Sequence, residues 1–325
     1  MSKKTKIMLI TAASLVFVGC IIFGGVMTML NWDFTKLSTA KYETNHHKIN
    51  EVFTNITVVT NTADIVFVTA ENGESNVVCY EQYKMKHSVV VHDGTLEIKV
   101  DDTSKWYDHI GIFSGSPKIT ITIPQGEYGV LSLQSDTGNI QIPAGFNFKS
   151  ADISEHTGNV TILASASEAM KIQTSTGSIR VENISAGALS LSVSTGGISV
   201  SDVTCNGDIN IKVSTGKTRI SDVECKNIIS SGNTGDISLE NVIASEKISI
   251  VRSTGDVKFD GSDAAELFIK TDTGDVTGNL LTDKVFITRT STGDISVPKT
   301  TTGGKCEINT DTGDIKIEIC KKDLA

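Results

Sequence analysis

The sequence predicts an all-β fold: a single-chain β-solenoid, similar to a parallel β-helix, of about ten coils of 19–20 residues after one transmembrane helix. Ten Thr-Gly pairs recur at steps of 19 or 20 residues along the last two thirds of the 325-residue chain. A period of this length is typical of one supersecondary unit stacked on itself. We expect structural turns at the glycines of these pairs: Gly138, Gly158, Gly177, Gly196, Gly216, Gly235, Gly255, Gly274, Gly293 and Gly313.

Alternating side chains follow each Thr-Gly pair. The third residue after Thr is β-branched in all ten repeats, the fourth is polar in all ten, and the fifth is apolar in nine. This alternation is typical of a strand with one buried and one solvated face. Apolar residues four and six positions before Thr predict a second strand on the other side of the turn.

Two connections fit a strand, turn, strand unit. In a β-meander, successive strands would be hairpin neighbours, whereas in a solenoid each coil lies on the equivalent strand of the coil before. Stacking of equivalent positions explains why the same class of side chain recurs at the same offset, so the sequence favours the solenoid.

The start of the chain predicts a membrane anchor. Residues 1–6 form a cytoplasmic tail with three lysines, and residues 7–30 carry no charge and are long enough to span a bilayer. The positive flank predicts a cytoplasmic N-terminus and an extracellular β domain. The alternative is a lipoprotein signal ending at Cys20, although the apolar run continues ten residues beyond that cysteine.

Three further segments follow the anchor. Residues 31–50 are predicted to be a polar tether, residues 51–125 irregular β structure that caps the stack, and residues 126–325 the regular repeats. Within the capping region, Thr62-Ala63-Asp64-Ile65 resembles a degenerate Thr-Gly-Asp-Ile turn, and residues 101–118 are expected to form a loop. The last strand, near residues 315–319, is expected to present an edge that is free, covered by the 321–325 tail or paired with a partner.

Acidic residues after several of the turns are the candidate metal ligands. Stacked carboxylates offer the oxygen ligands that Ca²⁺ takes, but the same residues are also ordinary turn residues. The sequence favours the turn role and keeps Ca²⁺ as the weaker alternative. This ladder consists of Asp236, Asp256, Asp275, Asp294 and Asp314.

Cys205 and Cys225 lie ten residues after their Thr residues in adjacent coils. Stacking would place their Cα atoms about 5 Å apart, which is within disulfide range. Two free thiols are the favoured alternative, because few geometries meet the torsion that a disulfide requires.

Charge and composition exclude several classes of function. The net charge of −9 argues against a nucleic-acid partner, which needs a basic surface. The sequence shows no arrangement typical of a nucleophilic triad, so we expect no catalytic residues and no cofactor. A polysaccharide lyase is the enzymatic alternative and rests on analogy of fold alone.

Repeats such as Ser253-Thr254-Gly255-Asp256-Val257 and 291–297, after an anchor and a β-rich lead-in, resemble a bacterial β-strand-repeat family often labelled “putative adhesin”. The resemblance covers roughly residues 50–320 and implies a domain of unknown function without agreed catalytic residues. The family label rests on the shape of the fold, so the resemblance implies a binding role at the cell envelope on that ground alone.

These observations predict a non-catalytic, membrane-anchored, extracytoplasmic β-solenoid that acts as an adhesin, binding module or scaffold. Its expected partners are the membrane and an unidentified envelope protein or glycan. The alternative is an envelope-stress or regulatory accessory protein that senses a ligand or partner. Specificity is expected where the repeat breaks: at residues 101–118, around Thr218 and Gly278, and at both ends of the rod.

Overall fold

A computed structural model describes residues 2–37, 41–105 and 115–320 of the protein. The apolar N-terminal segment forms one helix, α1, over Lys3–Met29, with the Ser2 hydroxyl accepting a hydrogen bond from the Thr5 backbone N–H. A short 3₁₀ helix, Phe34–Leu37, follows it. The helix has a mean hydropathy of 2.5 and nearly all its side chains are exposed, so it could anchor the chain in a membrane or act as a signal sequence.

Seven strands precede the regular repeats. They are β1 Tyr42–Ile49, β2 Asn55–Thr62, β3 Asp64–Thr69, β4 Ser75–Gln82, β5 Met85–His92, β6 Thr95–Asp102 and β7 Lys118–Ile123. The prediction of a polar tether over residues 31–50 is therefore wrong for its second half, because β1 belongs to the sheet and pairs antiparallel with β4. The inward positions of β1 include Asn45 and His47, so its sequence lacks the apolar alternation that marks a strand.

The lead-in strands cap the stack in an order that differs from the chain order. Strands β2 and β3 form one coil, and the register of Thr62 with Thr137 shows that Thr62-Ala63-Asp64 is a degenerate Thr-Gly turn. Strands β6 and β7 lie parallel on the outer side of this coil. Antiparallel β5 and β4 then cover β6 and β7. The described part of the predicted 101–118 loop contains Asp101 and Asp102 in β6 and Lys118 in β7, and residues 106–114 lie outside the described residues.

Sixteen further strands build the repeats. They are β8 Gly126–Thr137, β9 Ile140–Ile142, β10 Phe146–Thr157, β11 Val160–Ile162, β12 Ser165–Thr176, β13 Ile179–Thr195, β14 Ile198–Cys205, β15 Asp208–Thr215, β16 Thr218–Thr234, β17 Ile237–Thr254, β18 Val257–Thr273, β19 Val276–Leu280, β20 Lys284–Thr292, β21 Ile295–Ser296, β22 Gly304–Thr312 and β23 Ile315–Ile319. Adjacent coils pair parallel and in register. For example, Thr157 pairs with Thr137 of the preceding coil and with Thr176 of the following coil. The β-solenoid prediction is confirmed, and the meander alternative is wrong.

Five consecutive coils turn at a second fixed position that the sequence pattern did not reveal. Seven residues after the Thr of the turn, Asn183, Asp202, Asp222 and Asn241 all have φ between 51° and 53°, and Gly261 has φ 58°. Asn, Asp and Gly tolerate this left-handed conformation better than other residues. The chain therefore bends sharply between the strand that follows one Thr-Gly turn and the strand that precedes the next, where the alternation of side chains alone indicates no turn.

The last two coils stack in reverse order. Strand β22 lies between β18 and β20, and β23 lies between β19 and β21. The expectation that the last strand presents an edge, whether free, covered or paired with a partner, is therefore wrong: β23 pairs with β19 and β21, and β20 and β21 form the outermost coil of the described residues. The 321–325 tail, which was one proposed cover for that edge, lies outside the described residues.

One continuous apolar core runs through the stack. Inward side chains such as Ile153, Ile172 and Leu191 stack on one another with 0–1% of their surface exposed. Full burial of such a side chain contributes about 1.5–3 kcal/mol. Because each coil covers the next, the stability of the rod is distributed along its length.

Candidate functional site

A polar hollow of about 330 Å³ crosses four coils on the outer face of the strands that precede the Thr-Gly turns. Two outward rows line it, three residues and one residue before each Thr. The outward lining residues are Gln134, Asp136, Ser154, His156, Gln173, Ser175, Ser192 and Ser194. Neighbouring strands lie about 4.8 Å apart, so the hollow presents donors and acceptors at that repeat.

The hollow is partly organised by its own contacts. The Ser175 hydroxyl lies 3.4 Å from Nδ1 of His156 in the adjacent coil. The lining is almost entirely polar, which suits hydroxyl-rich or peptide ligands better than apolar ones. Individual Ser and Gln residues gave no signal in the sequence, since they are ordinary solvent-facing strand residues. Their juxtaposition appears only once the coils are stacked.

Beneath the hollow, Glu155 points inward and is 3% exposed. Its Oε1 accepts a hydrogen bond of 3.2 Å from the Thr157 backbone N–H. Burial raises the pKa of this carboxyl to about 7, against the weaker lowering effect of its hydrogen bonds. The strands that line the hollow therefore carry, on their inward face, a carboxyl group that titrates near neutral pH.

The Asp ladder forms a chain of side-chain-to-backbone bonds between coils. Oδ1 of Asp236, Asp256 and Asp275 each accepts from the backbone N–H of the Asp stacked on it, at 2.7–3.2 Å. Lys316 lies 2.6 Å from Asp314, and the Asp294 backbone bond and Lys316 lower the pKa of Asp314. These bonds account for the Asp residues as turn components, and Ca²⁺ at the ladder stays a prediction.

Cys205 and Cys225 are both buried and occur as free thiols in adjacent coils. The Cys205 thiol points at the carbonyl oxygens of Gly187 and Asp208, each 3.8 Å away. Burial raises the pKa of Cys225 to about 12, so this thiol is protonated at neutral pH. Their oxidation to a disulfide stays a prediction.

A buried polar row, which the sequence analysis also missed, lies two residues before several of the turns and is interrupted by Val193 and Val213. The Thr271 and Thr310 hydroxyls donate to the carbonyl oxygens of Gly255 and Gly274 in the preceding coils. This row therefore satisfies backbone acceptors that the stack would otherwise bury. Recurrent Ser and Thr at this offset were the available signal.

Arg252 occupies the same inward row and explains the break at Thr218. Its Nη2 donates to Ser230 Oγ at 2.9 Å and to Thr218 Oγ1 at 3.3 Å. Burial lowers the pKa of Arg252 to about 10. At the other break, a side chain on Gly278 would overlap the Phe259 backbone. Both breaks thus have a packing cause, and specificity at either of them stays a prediction.

A second polar group lies inside the N-terminal cap. Cys79, Glu81 and His87 are buried, and their potential ligand atoms lie within 4.8 Å of one another. His87 Nδ1 is 2.6 Å from Glu81 Oε2, and His87 Nε2 is 2.9 Å from Thr60 Oγ1. Burial, and then the Glu81 charge, raises the pKa of Cys79 to about 12. Cys79 and Glu81 lie on β4, His87 lies on β5 and Thr60 lies on β2, so the packing of the cap brings these residues together.

The parallel coils and the capping strands at the N-terminal end define the class of fold as a β-solenoid, which one apolar helix precedes. The chain belongs to the Toastrack DUF4097 family, which it matches over residues 53–211 and 204–325. No curated protein matches the chain in sequence.

Several solved structures are similar to this chain at low sequence identity. A “putative adhesin” from Bacteroides fragilis is 17% identical, with a TM-score of 0.44 over 86% of this chain and 97% of the other. A “putative lipid binding protein” from Parabacteroides distasonis is 16% identical, with a TM-score of 0.43 over 74% and 95%. A “putative adhesin” from Parabacteroides merdae is 10% identical, with a TM-score of 0.39 over 86% and 98%.

Proposed function

We propose that the protein is a non-catalytic binding module that is held at the bacterial cell surface by α1. In this proposal Lys3, Lys4 and Lys6 stay in the cytoplasm, α1 crosses the membrane and the solenoid lies outside. The exposed apolar surface of α1 and the three lysines before its uncharged stretch support this orientation.

The observation that carries the binding role is the polar hollow across four coils. Its ligand is an envelope glycan or an extended segment of an envelope protein, because both present hydrogen-bonding groups along their length. Solenoids commonly bind through extended faces of this kind. Interactions from several coils add, so a modest contribution from each Gln or Ser is sufficient for recognition.

Site-specific cross-linking in intact cells tests the proposal. A photoreactive residue at Gln173, inside the hollow, is expected to give a discrete adduct with a protein or glycan. The matched control is the same residue at Lys258, which is exposed on a different strand face. No adduct at Gln173, or equal adducts at both positions, would contradict binding at the hollow.

Protease treatment of intact cells tests the topology separately. Cleavage within the β domain without lysis is expected, whereas full protection of residues 31–325 would refute its extracytoplasmic placement.

Two other roles make different predictions. An adhesin binds other cells or matrix when the rod is displayed on a surface, whereas a regulatory accessory protein is recovered only with partners from its own membrane. A polysaccharide lyase would release unsaturated sugar ends from a glycan panel, and their release would overturn the non-catalytic proposal.

A further inference from the structure

We propose that Cys79, Glu81 and His87 form a binding site for one divalent transition-metal ion, with Zn²⁺ as the best-fitting ion. The site lies in the N-terminal cap and does not depend on what the polar hollow binds. It would tie β4 to β5 inside the cap.

Strand geometry brings the three ligands together. Cys79 and Glu81 are two residues apart on β4, so both side chains point to the same inward face. After the β4–β5 turn, His87 on β5 folds back towards Glu81, and its backbone N–H donates to Glu81 Oε2 at 2.7 Å. The three residues are 0%, 1% and 6% exposed, so the ligand atoms converge in a protected interior.

The donor set selects the kind of ion. A thiolate, an imidazole and a carboxylate together suit Zn²⁺ and similar transition metals, whereas Ca²⁺ and Mg²⁺ take oxygen ligands. Thiolate and carboxylate also contribute two negative charges, which balance the two positive charges of the ion. A neutral buried site avoids the desolvation cost of an uncompensated charge.

The surrounding residues support metal ligation. In the metal-free arrangement, the tautomer that carries the proton on Nδ1 lets His87 donate to Glu81 Oε2 and lets Nε2 accept from the Thr60 hydroxyl. A hydroxyl both donates and accepts, so Thr60 equally stabilises the tautomer in which Nε2–H donates and Nδ1 binds metal. Binding would move the single imidazole proton from Nδ1 to Nε2 and would release one proton, that of the Cys79 thiol.

Two more features complete the site. Asn45 Nδ2 donates to Glu81 Oε1 at 2.7 Å, which orients the carboxylate and leaves Oε2 for the ion. His87 also lines a cavity of about 260 Å³ with Tyr42 and Met85, which offers an entry path and room for a water as fourth ligand.

The alternative is a purely structural hydrogen-bond network of Thr60, His87 and Glu81, which needs no ion. The experiment therefore measures coordination directly. The full chain, purified in detergent and stripped with a chelator, is titrated with Co²⁺ and then with Zn²⁺. One equivalent of Co²⁺ is expected to produce thiolate-to-cobalt charge-transfer absorption, which Zn²⁺ should abolish.

Variants assign the site. Cys79→Ser is expected to abolish the absorption and weaken Zn²⁺ binding more than a hundredfold. Cys306→Ser, the matched control, should retain both, because Cys306 is also a fully buried thiol whose pKa burial raises to about 12. Thr60→Val should weaken binding about 10- to 100-fold, as is usual for a residue that orients a ligand.

X-ray absorption on the zinc-loaded wild-type chain requires no variant and so does not depend on the folding of Cys79→Ser. One sulfur at about 2.3 Å with nitrogen and oxygen neighbours is expected. The proposal is overturned by sulfur-free coordination, by a folded wild-type chain that gives no cobalt absorption, or by absorption that persists in Cys79→Ser.

Discussion

The backbone N–H of Asp294 donates to Oδ1 of Asp314 at 2.9 Å, and the backbone N–H of Asp314 donates in turn to Asp275. Asp314 therefore lies between Asp275 and Asp294, although it follows both along the chain. A buried ion pair of 2.6 Å between Lys284 Nζ and Asp263 Oδ1 reaches from the outer coil to β18. The outermost coil, β20 and β21, thus precedes along the chain the coil of β22 and β23 that lies beneath it.

Engineered disulfides test this order. Lys270 is in register with Asn309, and Asn309 is in register with Arg289, so Lys270 and Arg289 are two strands apart. In a background without the exposed Cys20 and Cys320, oxidation is expected to join Lys270→Cys to Asn309→Cys, since adjacent strands lie about 4.8 Å apart. Lys270→Cys with Arg289→Cys should stay reduced. Mass analysis without reductant detects the disulfides. The reverse result would show that the last coils stack in the order in which they occur along the chain.

The repeat predicted the coils well because turn and strand chemistry are local. Thr-Gly spacing and inward residues such as Ile172 were sufficient for the architecture. The order of the last coils was not predictable in this way. Ile308 and Thr288 occupy the same position in repeats with similar sequence patterns, so the pattern does not decide which of them lies beside Ile269. In the structure the neighbour of Ile269 is Ile308. The His87 cluster was missed for a related reason: Thr60 and His87 are 27 residues apart and meet only through the cap topology.

Replacement of Arg252 tests whether its buried hydrogen bonds explain the polar residue Thr218 at a position that is apolar in the other repeats. Arg252→Ala would leave a cavity and two buried hydroxyls without their donor, at a cost of about 2–4 kcal/mol in unfolding free energy. Arg219→Ala, at an exposed position, should change stability by less than about 0.5 kcal/mol. Denaturant unfolding measures both. Equal effects would mean that the buried hydrogen bonds of Arg252 contribute nothing specific.

Glu155 should make stability fall as pH rises. Its pKa is about 7 in the folded chain against an ordinary value of 4.5, so the folded state binds more protons between these values. The unfolding free energy is then highest near and below pH 4.5, decreases as the pH rises to about 7, and levels off above that pH. The total decrease is about 1.4 kcal/mol for each unit of difference between the folded and the ordinary pKa. Glu155→Gln should remove this contribution. Superimposable pH profiles of the two proteins would exclude it.

Alkylation distinguishes the two states of Cys205 and Cys225. Because both thiols are buried and unpaired in the structure, they should resist modification in the folded chain. After denaturation, mass analysis is expected to show the same number of alkylated cysteines with and without prior reduction. A gain of two modified residues only after reduction would establish the disulfide instead.

The Thr-Gly turns require glycine for space as well as for conformation, and two alanine substitutions separate these causes. Gly177 has φ 137°, and a Cβ there would overlap the Gly158 carbonyl of the stacked coil. Gly126 has a comparable φ of 153°, and a Cβ there meets no atom within 4 Å. Gly126→Ala should therefore cost only the backbone strain, about 1–3 kcal/mol. Gly177→Ala should cost at least twice as much, because the coils must separate locally. Thermal unfolding of both variants provides the comparison, and similar losses would show that φ alone selects glycine in these turns.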